Sequence, residues 1–435
     1  MISRFVAQLH RTFSALEVPN FRLFVYGQSI SLVGTWMQTV AQSWLVYTLT
    51  RSSTALGAVV AIQTLPVLLL GPYAGVIADR TDKRRLMVVL QTFMGLQALV
   101  LGILAITHVV RFWEVCVLAA ALGLNNTFEN PARQSFVLEM VGRDNVRNAV
   151  SLNSTMVNAA RAVGPAVAGV IIATAGVGAC FLLNAVSFVT VVYSLVSMNK
   201  GALKPSPPAS RAKGQLREGL SYVAHEPGLG VPLLMMALVG TLAYEFQVSL
   251  PVLAKETFHG NAETYGFLTA AMGIGAVMGG LFTATRGKTG LRPCTVGAAM
   301  FGVAILFAAV TPVLGVEYLA MALVGWGSVS FLATGNSTLQ MTAAPSMRGR
   351  VMALWAVAFM GSTPIGGPAI GWVIAAAGAR VGLGVGGISC LVATGIGAVA
   401  ISRLKARKPS PPVTSVTSVT SVTSVDIGTG PAVAP

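Results

Sequence analysis

Four ionisable side chains stand where so apolar a chain offers them no solvent. Glu129, Arg133, Arg161 and Glu245 each fall inside a long hydrophobic run. A charge in lipid costs about 3 kcal/mol or more unless it is paired or faces a wet cavity, so all four are functional candidates. The chemistry open to them is proton binding or hydrogen bonding to a polar ligand. Glu245 stands beside Tyr244 and Gln247, with no basic residue of its own half as an obvious partner. Its carboxyl, or that of Glu129, is a candidate for coupling to protons, and a static hydrogen-bonded role is the alternative. Glu129 and Arg161 are expected to be able to approach each other as an internal pair. Gln28, Ser31, Thr35, Gln38 and Gln42 recur at spacings of three and four, a polar stripe beside Trp36 and Trp44. Such a stripe turns toward a cavity, where it offers hydrogen bonds without net charge, or toward another helix. Asn153, Asn158, Asn184 and Asn336 suit either place.

Other chemistries lack their residues. The histidines, His10, His108, His225 and His259, lie at span edges or in loops, with no nucleophile or metal ligand set beside them. Cys116, Cys180, Cys294 and Cys390 are isolated in or next to apolar segments, which suits neither a disulfide framework nor a zinc site. A phosphate-cradling Gly-x-x-x-x-Gly-Lys-Ser/Thr loop does not occur, so ATP hydrolysis within the chain is not expected. The net charge of +15 is spread in short clusters between apolar runs, without interleaved aromatics, which argues against nucleic acid. No enzyme activity, metal or cofactor is expected.

The elements that must position these residues are membrane helices. Charged residues make up 10% of the chain and hydrophobic ones 54%, and the mean hydropathy is +0.73. A helix needs about 20 mostly apolar residues to cross a bilayer. Such segments are expected near 23–48, 54–78, 86–107, 112–135, 149–174, 178–198, 229–254, 264–285, 294–313, 317–340, 350–377 and 381–402. Alternating barrel strands are absent, which leaves an all-α membrane protein of twelve transmembrane helices. Lys and Arg test the count, because they concentrate in cytoplasmic loops. Only Arg51, Arg111, Lys255 and Arg380 fall on one side, and Arg133 and Arg161 within spans; the rest of the 29 fall on the other side. Both termini are therefore expected in the cytoplasm, with the chain in the inner (plasma) membrane. No cleavable signal peptide is expected, and residues 2–16 could form an interfacial helix or a frayed leader.

Five regions result: a cytoplasmic N-terminal segment (1–22), a six-helix bundle (23–198), a cytoplasmic linker rich in Pro and basic residues (199–228), a second six-helix bundle (229–402) and a tail (403–435). The tail carries Val-Thr-Ser repeats from Val413 to Val425 and is expected to be disordered. The bundles read as pseudo-symmetric repeats. Gly164-Pro165-Ala166 recurs as Gly367-Pro368-Ala369 at an offset of 203 residues, and Arg147 meets Arg350 at the same offset. Parallel repeats of six spans are the pattern of rocking transporters that bind substrate between their halves.

The loop after the second span reads Gly75-Val76-Ile77-Ala78-Asp79-Arg80-Thr81-Asp82-Lys83-Arg84-Arg85. It resembles the signature loop of the major facilitator superfamily, Gly-x-x-x-Asp-Arg-x-Gly-Arg-Lys, with Asp82 in place of the second Gly. The resemblance implies that Gly75, Asp79, Arg80, Lys83 and Arg84 form a gate. Asp79 would meet the N-terminus of span 11 near Arg350, where unpaired N–H groups favour an anion. Span 5 carries Arg161-Ala162-Val163-Gly164-Pro165-Ala166-Val167-Ala168-Gly169, similar to the Gly-Pro motif of superfamily antiporters, which the family associates with export. Residues from Phe128 to Gln134, and from Asn148 to Asn153, are similar to the branch of enterobactin exporters, macrolide efflux proteins and transmembrane secretion effectors. The usual Arg in the middle of span 4 is missing, since Ala119 precedes Gly123. The signature loop has no good copy in the second half, where Gly280 is followed by Ala284 and Thr285.

The function this implies is secondary, proton-coupled export of an amphipathic small molecule such as a drug, siderophore or metabolite, as in multidrug resistance or siderophore export. Import or lysolipid movement by the same fold is an alternative, and a non-transporting scaffold or sensor is another. The expected partners are a small-molecule substrate, protons and membrane lipids, and the chain is expected to be a monomer.

Overall fold

Lipid offers no partner to a backbone N–H or C=O group, so each membrane pass must satisfy its own. The computed structural model of the protein meets that condition with helices throughout the described residues, which are 14–204, 215–345 and 347–406. The passes are α1 Pro19–Thr50, α2 Ser53–Arg80, α3 Lys83–Ile106, α4 112–141, α5 144–175 and α6 177–196. After the linker come α7 Pro227–Thr257, α8 Ala262–Arg286, α9 Leu291–Val310, α10 Leu314–Thr342, α11 Arg348–Ala377 and α12 Ala379–Ala406. All twelve expected passes are thus present. Hydropathy and length together mark only nine apolar stretches among the described residues, one of which, Asp144–Val196, holds both α5 and α6. The helices of α1 and α4 are long enough but carry the glutamine stripe and the run from Asn125 to Arg133.

Two glycines separate α4, α5 and α6 within one helical stretch. Gly142 (φ 75°) and Gly176 (φ 81°) take left-handed backbone that other residues resist, and the chain reverses there without a long loop. The expected tail repeats and residues 2–13 of the expected interfacial segment lie outside the described residues, and Ser14–Glu17 form a 3-10 turn. The linker, expected as a polar spacer, contains an amphipathic helix, Gln215–His225. It docks on the second bundle, where the Tyr222 hydroxyl accepts the Ala344 N–H and Glu218 pairs with Arg350.

Successive passes alternate in direction. Pro19, Arg80, the linker helix, Arg286, Arg348 and Ala406 therefore share one side, the termini face, while Thr50, Ser53, Thr257 and Ala262 share the far face. Large apolar side chains stay exposed around the perimeter, such as Tyr193, Leu281, Val310 and Trp372, as a lipid-facing surface requires.

The halves meet along two helix pairs, and the contacts gather toward the far face. On α2 and α11, a Cβ added to Gly57 would stand 2.3 Å from the Gly367 carbonyl oxygen, and Ser53 donates to the Gly371 carbonyl at 2.8 Å. On α5 and α8, a Cβ added to Gly266 would stand 2.6 Å from the Pro165 carbonyl oxygen, and one on Gly169 would reach the Gly266 Cα at 3.2 Å. Small residues let the backbones approach this closely, so dispersion can act where lipid supplies no hydrophobic drive. Trp44 stacks on Tyr265 (6.3 Å between rings), and the Tyr47 hydroxyl bonds Glu256 on a π turn, Leu253–Thr257. Toward the termini face the fit ends, and a Cβ added to Gly71 of α2 or Gly349 of α11 would meet nothing within 4 Å.

Replacing Gly57 and Gly266 by Leu therefore separates the far-face pairs. Spin labels on Thr54 and Glu263, one in each half, should report a longer distance in the double variant; an unchanged distance distribution shows that the glycine contacts do not hold this face shut.

Candidate functional site

A cavity of about 350 Å³ lies between the halves, lined from α1, α2, α5, α7, α8, α10 and α11. Its walls are mostly apolar and aromatic, with Trp36, Tyr244, Tyr265 and Phe359 among them. The charged side chains on it are Arg161 of the first half and Glu245 of the second.

Arg161 is placed by the motif that follows it. A Cβ on Gly164 would stand 2.6 Å from the Trp36 Cβ and 2.8 Å from the Val33 carbonyl oxygen, so α5 can lie directly on α1. One turn earlier, that contact brings the Arg161 guanidinium over the Trp36 ring, 4.8 Å from its centre. A desolvated cation–π contact contributes about 2 kcal/mol, which offsets part of the burial cost. The buried Arg161 Nε has no hydrogen-bond partner.

Glu245 sits at an interruption in α7, between Pro227–Leu242 and Phe246–Val252. Its carboxyl lies against Gly366 and Gly367 of α11, where added Cβ atoms would stand 2.7 Å from Oε1 and 3.6 Å from Oε2. Any larger residue at 366 would collide with it. The side chain is 4% exposed, and Oε1 has no hydrogen-bond partner. α11 is itself interrupted here, between Met360 and Thr363, where Pro364 cannot donate to the preceding turn.

A smaller side pocket of about 70 Å³ opens among α1, α2, α3, α4, α6 and α7, and Thr39, Gln63 and Gln247 line both spaces. Carboxamides dominate its polar wall. Asn184 donates to the Gln38 oxygen at 2.6 Å, Gln38 donates to Gln97 at 3.0 Å, and Gln42 donates to Gln63 at 2.9 Å. The α1 stripe thus divides. Gln38 and Gln42 line the side pocket, Gln28 is buried away from both spaces, and the central cavity takes the adjacent face with Trp36, Thr39 and Val40. Asn158 lines neither and donates to the Ser154 carbonyl at 2.9 Å.

The expected approach of Glu129 to Arg161 does not occur. Glu129 pairs with Arg133, one turn on in α4, at 3.0 Å, and accepts from Gln91 at 3.3 Å. Arg133 also donates to Asn130 at 3.2 Å and Asn153 at 3.4 Å. An i,i+4 partner on the same helix needs no long-range packing and is met first.

In the signature loop, Lys83 and Glu139 form a buried ion pair at 2.7 Å, and Arg84 donates to the last carbonyls of α6, Leu195 and Val196, both at 2.7 Å. Asp82, where the motif asks for Gly, caps α3 by accepting the Arg85 N–H at 2.9 Å. Gly75 is half-buried and Arg80 exposed; the Asp79 side chain lies outside the described residues. Pro165 and Gly169 pack α5 on α8, and Pro368 follows Gly367 at the α2 contact.

The sequence marks Tyr244 only as a neighbour of Glu245 and gives no sign of the inward aromatics Tyr265 and Phe359, whose apolar surroundings offer no contrast. Nor does it single out Glu317, which is fully buried at the far end of α10 with neither carboxylate oxygen hydrogen-bonded. Arg380, within its electrostatic reach, donates to the Thr311 carbonyl at 2.9 Å. Glu317 opens the expected span 317–340, and Arg380 is expected in a loop on the far side.

A sequence profile of the transmembrane secretion effector family matches residues 10–421. The chain belongs to that family. It is 25% identical over 362 residues to the enterobactin exporter EntS of Escherichia coli, covering 81% of this chain and 85% of that one. It is 26% identical over 354 residues to the multidrug efflux pump Tap of Mycolicibacterium fortuitum, covering 79% and 86%. The staphyloferrin A transporter of Staphylococcus aureus is 27% identical over 259 residues, a match that spans 59% of this chain and 65% of that transporter. Among solved structures, a bacterial homologue of the human lysosomal transporter Spinster, inward-facing and unoccupied, superposes with a TM-score of 0.72 at 12% identity, over 90% of this chain and 98% of that one. A bacterial homologue of the iron transporter ferroportin, inward-facing, gives 0.67 at 17% identity over 88% and 99%. The chain therefore has the major facilitator fold and is a multi-pass membrane protein.

Removing one partner of a buried ion pair is costly because the other charge stays behind. Lys83→Met is expected to destabilise the first bundle by about 3 kcal/mol. A lower midpoint in detergent unfolding, partly restored by adding Glu139→Gln, would show it; equal midpoints for wild type and Lys83→Met would refute it.

Proposed function

We propose that this chain is a secondary active exporter that carries an amphipathic small molecule by alternating access, with protons as the coupling ion. The observation that carries the reading is the central cavity, apolar and aromatic, with one charged side chain from each half on its walls. Excess Lys and Arg on the termini face argues that this side is cytoplasmic. An exporter loads from that side, toward which the fit between the halves ends at Gly71 and Gly349. The antiporter-like Gly-Pro motif of α5 and the likeness to an enterobactin exporter and a multidrug efflux pump support outward movement of a siderophore, drug or related metabolite.

Closure of the cytoplasmic side would bring the signature loop to the N-terminus of α11. Asp79 there would meet the positive end of the α11 dipole beside Arg348 and Arg350, while Gly75 lets α2 approach and Arg80 faces the closing surface. Lys83 and Arg84 hold the loop on the first bundle throughout. Glu245 is the leading proton carrier. It lies in the cavity wall at the junction of two interrupted helices, where gain or loss of one proton changes how α7 packs on α11. Glu129 already has Arg133 as partner and suits a structural role better.

Cells lacking the protein should accumulate at least one compound of an antibiotic, dye and siderophore panel that complemented cells expel, and an uncoupler should erase the difference. Asp79→Asn is expected to lower expulsion by about tenfold through loss of the gate, and Glu245→Gln to abolish its response to a pH gradient in proteoliposomes. Accumulation unaffected by deletion and by both variants would favour a scaffold or sensor. Counterflow with substrate loading from the opposite face would favour import.

A further inference from the structure

We propose that the cavity is built for a ring-bearing amphipathic organic anion, whose charged oxygen seats on Arg161, whose ring lies on the aromatic walls and whose uncharged hydroxyl or amide groups enter the side pocket. The proposal deepens the transport reading and rests on it.

The two charges of the cavity are unequal. A guanidinium stays protonated at every physiological pH, whereas a carboxyl can discard its charge by taking up a proton. Arg161 is in no ion pair among the described residues. Its π face is covered by Trp36, and its Nε is buried without a partner. A planar donor fork with one flat side covered leaves its edge to an acceptor, and an anionic oxygen makes the stronger, charge-assisted bond. Glu245 comes from the other half, is 4% exposed and is pressed against Gly366 and Gly367. It is poorly placed to grip a cation in the cavity, and when protonated it leaves the cavity with the net positive charge of Arg161.

The remaining surface fits the rest of such a molecule. Trp36, Tyr244, Tyr265 and Phe359 offer flat apolar area for a ring. The side pocket is lined by Gln38, Gln42, Gln63, Asn126 and Asn184 with no charged group, so it suits neutral groups that both donate and accept. Thr39, Gln63 and Gln247 line both spaces, so one ligand that parts these side chains would carry those groups together with the anion. The main volume of about 350 Å³ falls within the range of small-ligand sites, which are about 300–1,000 Å³, and at its lower end, too small for a two-chain lipid.

The test uses the full chain in phosphatidylcholine nanodiscs and titration calorimetry with four probes: 6-hydroxy-2-naphthoate, 2-naphthoate, 2-naphthylmethylammonium and lysophosphatidate. Both naphthoates should bind about tenfold or more tightly than the ammonium compound and than lysophosphatidate, with the hydroxylated one tightest. R161Q should erase the preference for anions, R161K should keep part of it, and Q42L should remove the advantage of the hydroxyl group. A wild-type chain that binds the ammonium probe as well as the naphthoates, or lysophosphatidate better than either, overturns the proposal without recourse to any variant; so does unchanged naphthoate binding in R161Q. Expulsion of compounds by cells without anion preference in the nanodiscs would leave the export reading standing and sink this one. Anion preference in a chain that moves nothing would sink export and leave the site.

Discussion

The halves are joined by two helix pairs, α2 with α11 and α5 with α8, and the joint holds because glycine backbones touch where side chains would collide. Gly57 against Gly367 and Gly266 against Pro165 are the same contact made twice across the pseudo-symmetry of the bundles. In lipid, association relies on dispersion and hydrogen bonds at short range, and it falls away steeply once helices separate. A contact confined to one side therefore leaves the rest of the interface free to part. The cavity is the space below that joint, and the depth of Arg161 and Glu245 follows from it.

The same joint explains why two uncompensated charges survive in the interior. Arg161 is carried by the turn that precedes Gly164, so the packing that closes α5 on α1 also presses the guanidinium onto Trp36. Glu245 occupies space that Gly366 and Gly367 leave vacant, at the level where α7 and α11 both lose regular helix. Within the first bundle the inner charges are neutralised locally, Glu129 by Arg133 and Lys83 by Glu139. The contrast separates residues that hold a bundle together from residues that face the cavity.

Much of this architecture was legible in the sequence. Apolar run length gave the passes, and the 203-residue offset of the Gly-Pro motifs matched helices that make related contacts. The interior was less legible, for reasons of geometry. Helical periodicity marks a polar face but not its angle toward the cavity, so the α1 stripe was recognised while Trp36 and Thr39, slightly around the helix, proved to be the central lining. Charge counting pairs residues by depth, which made Glu129 and Arg161 look compatible, but the short-range partner Arg133 was available on the same helix. Glu317 escaped notice because a carboxyl at a span edge looks solvated until packing covers it.

The interruptions in α7 and α11 fall in the second half only. Their counterparts in the repeat, α1 and α5, run as unbroken helix through the matching levels. The two bundles therefore cannot exchange shapes as mirror-like partners when the cavity turns to the other side. The first bundle behaves as a lever and the second as an elbow, and a picture of the opposite state built by trading the repeats' conformations would put a bend where the chain has none.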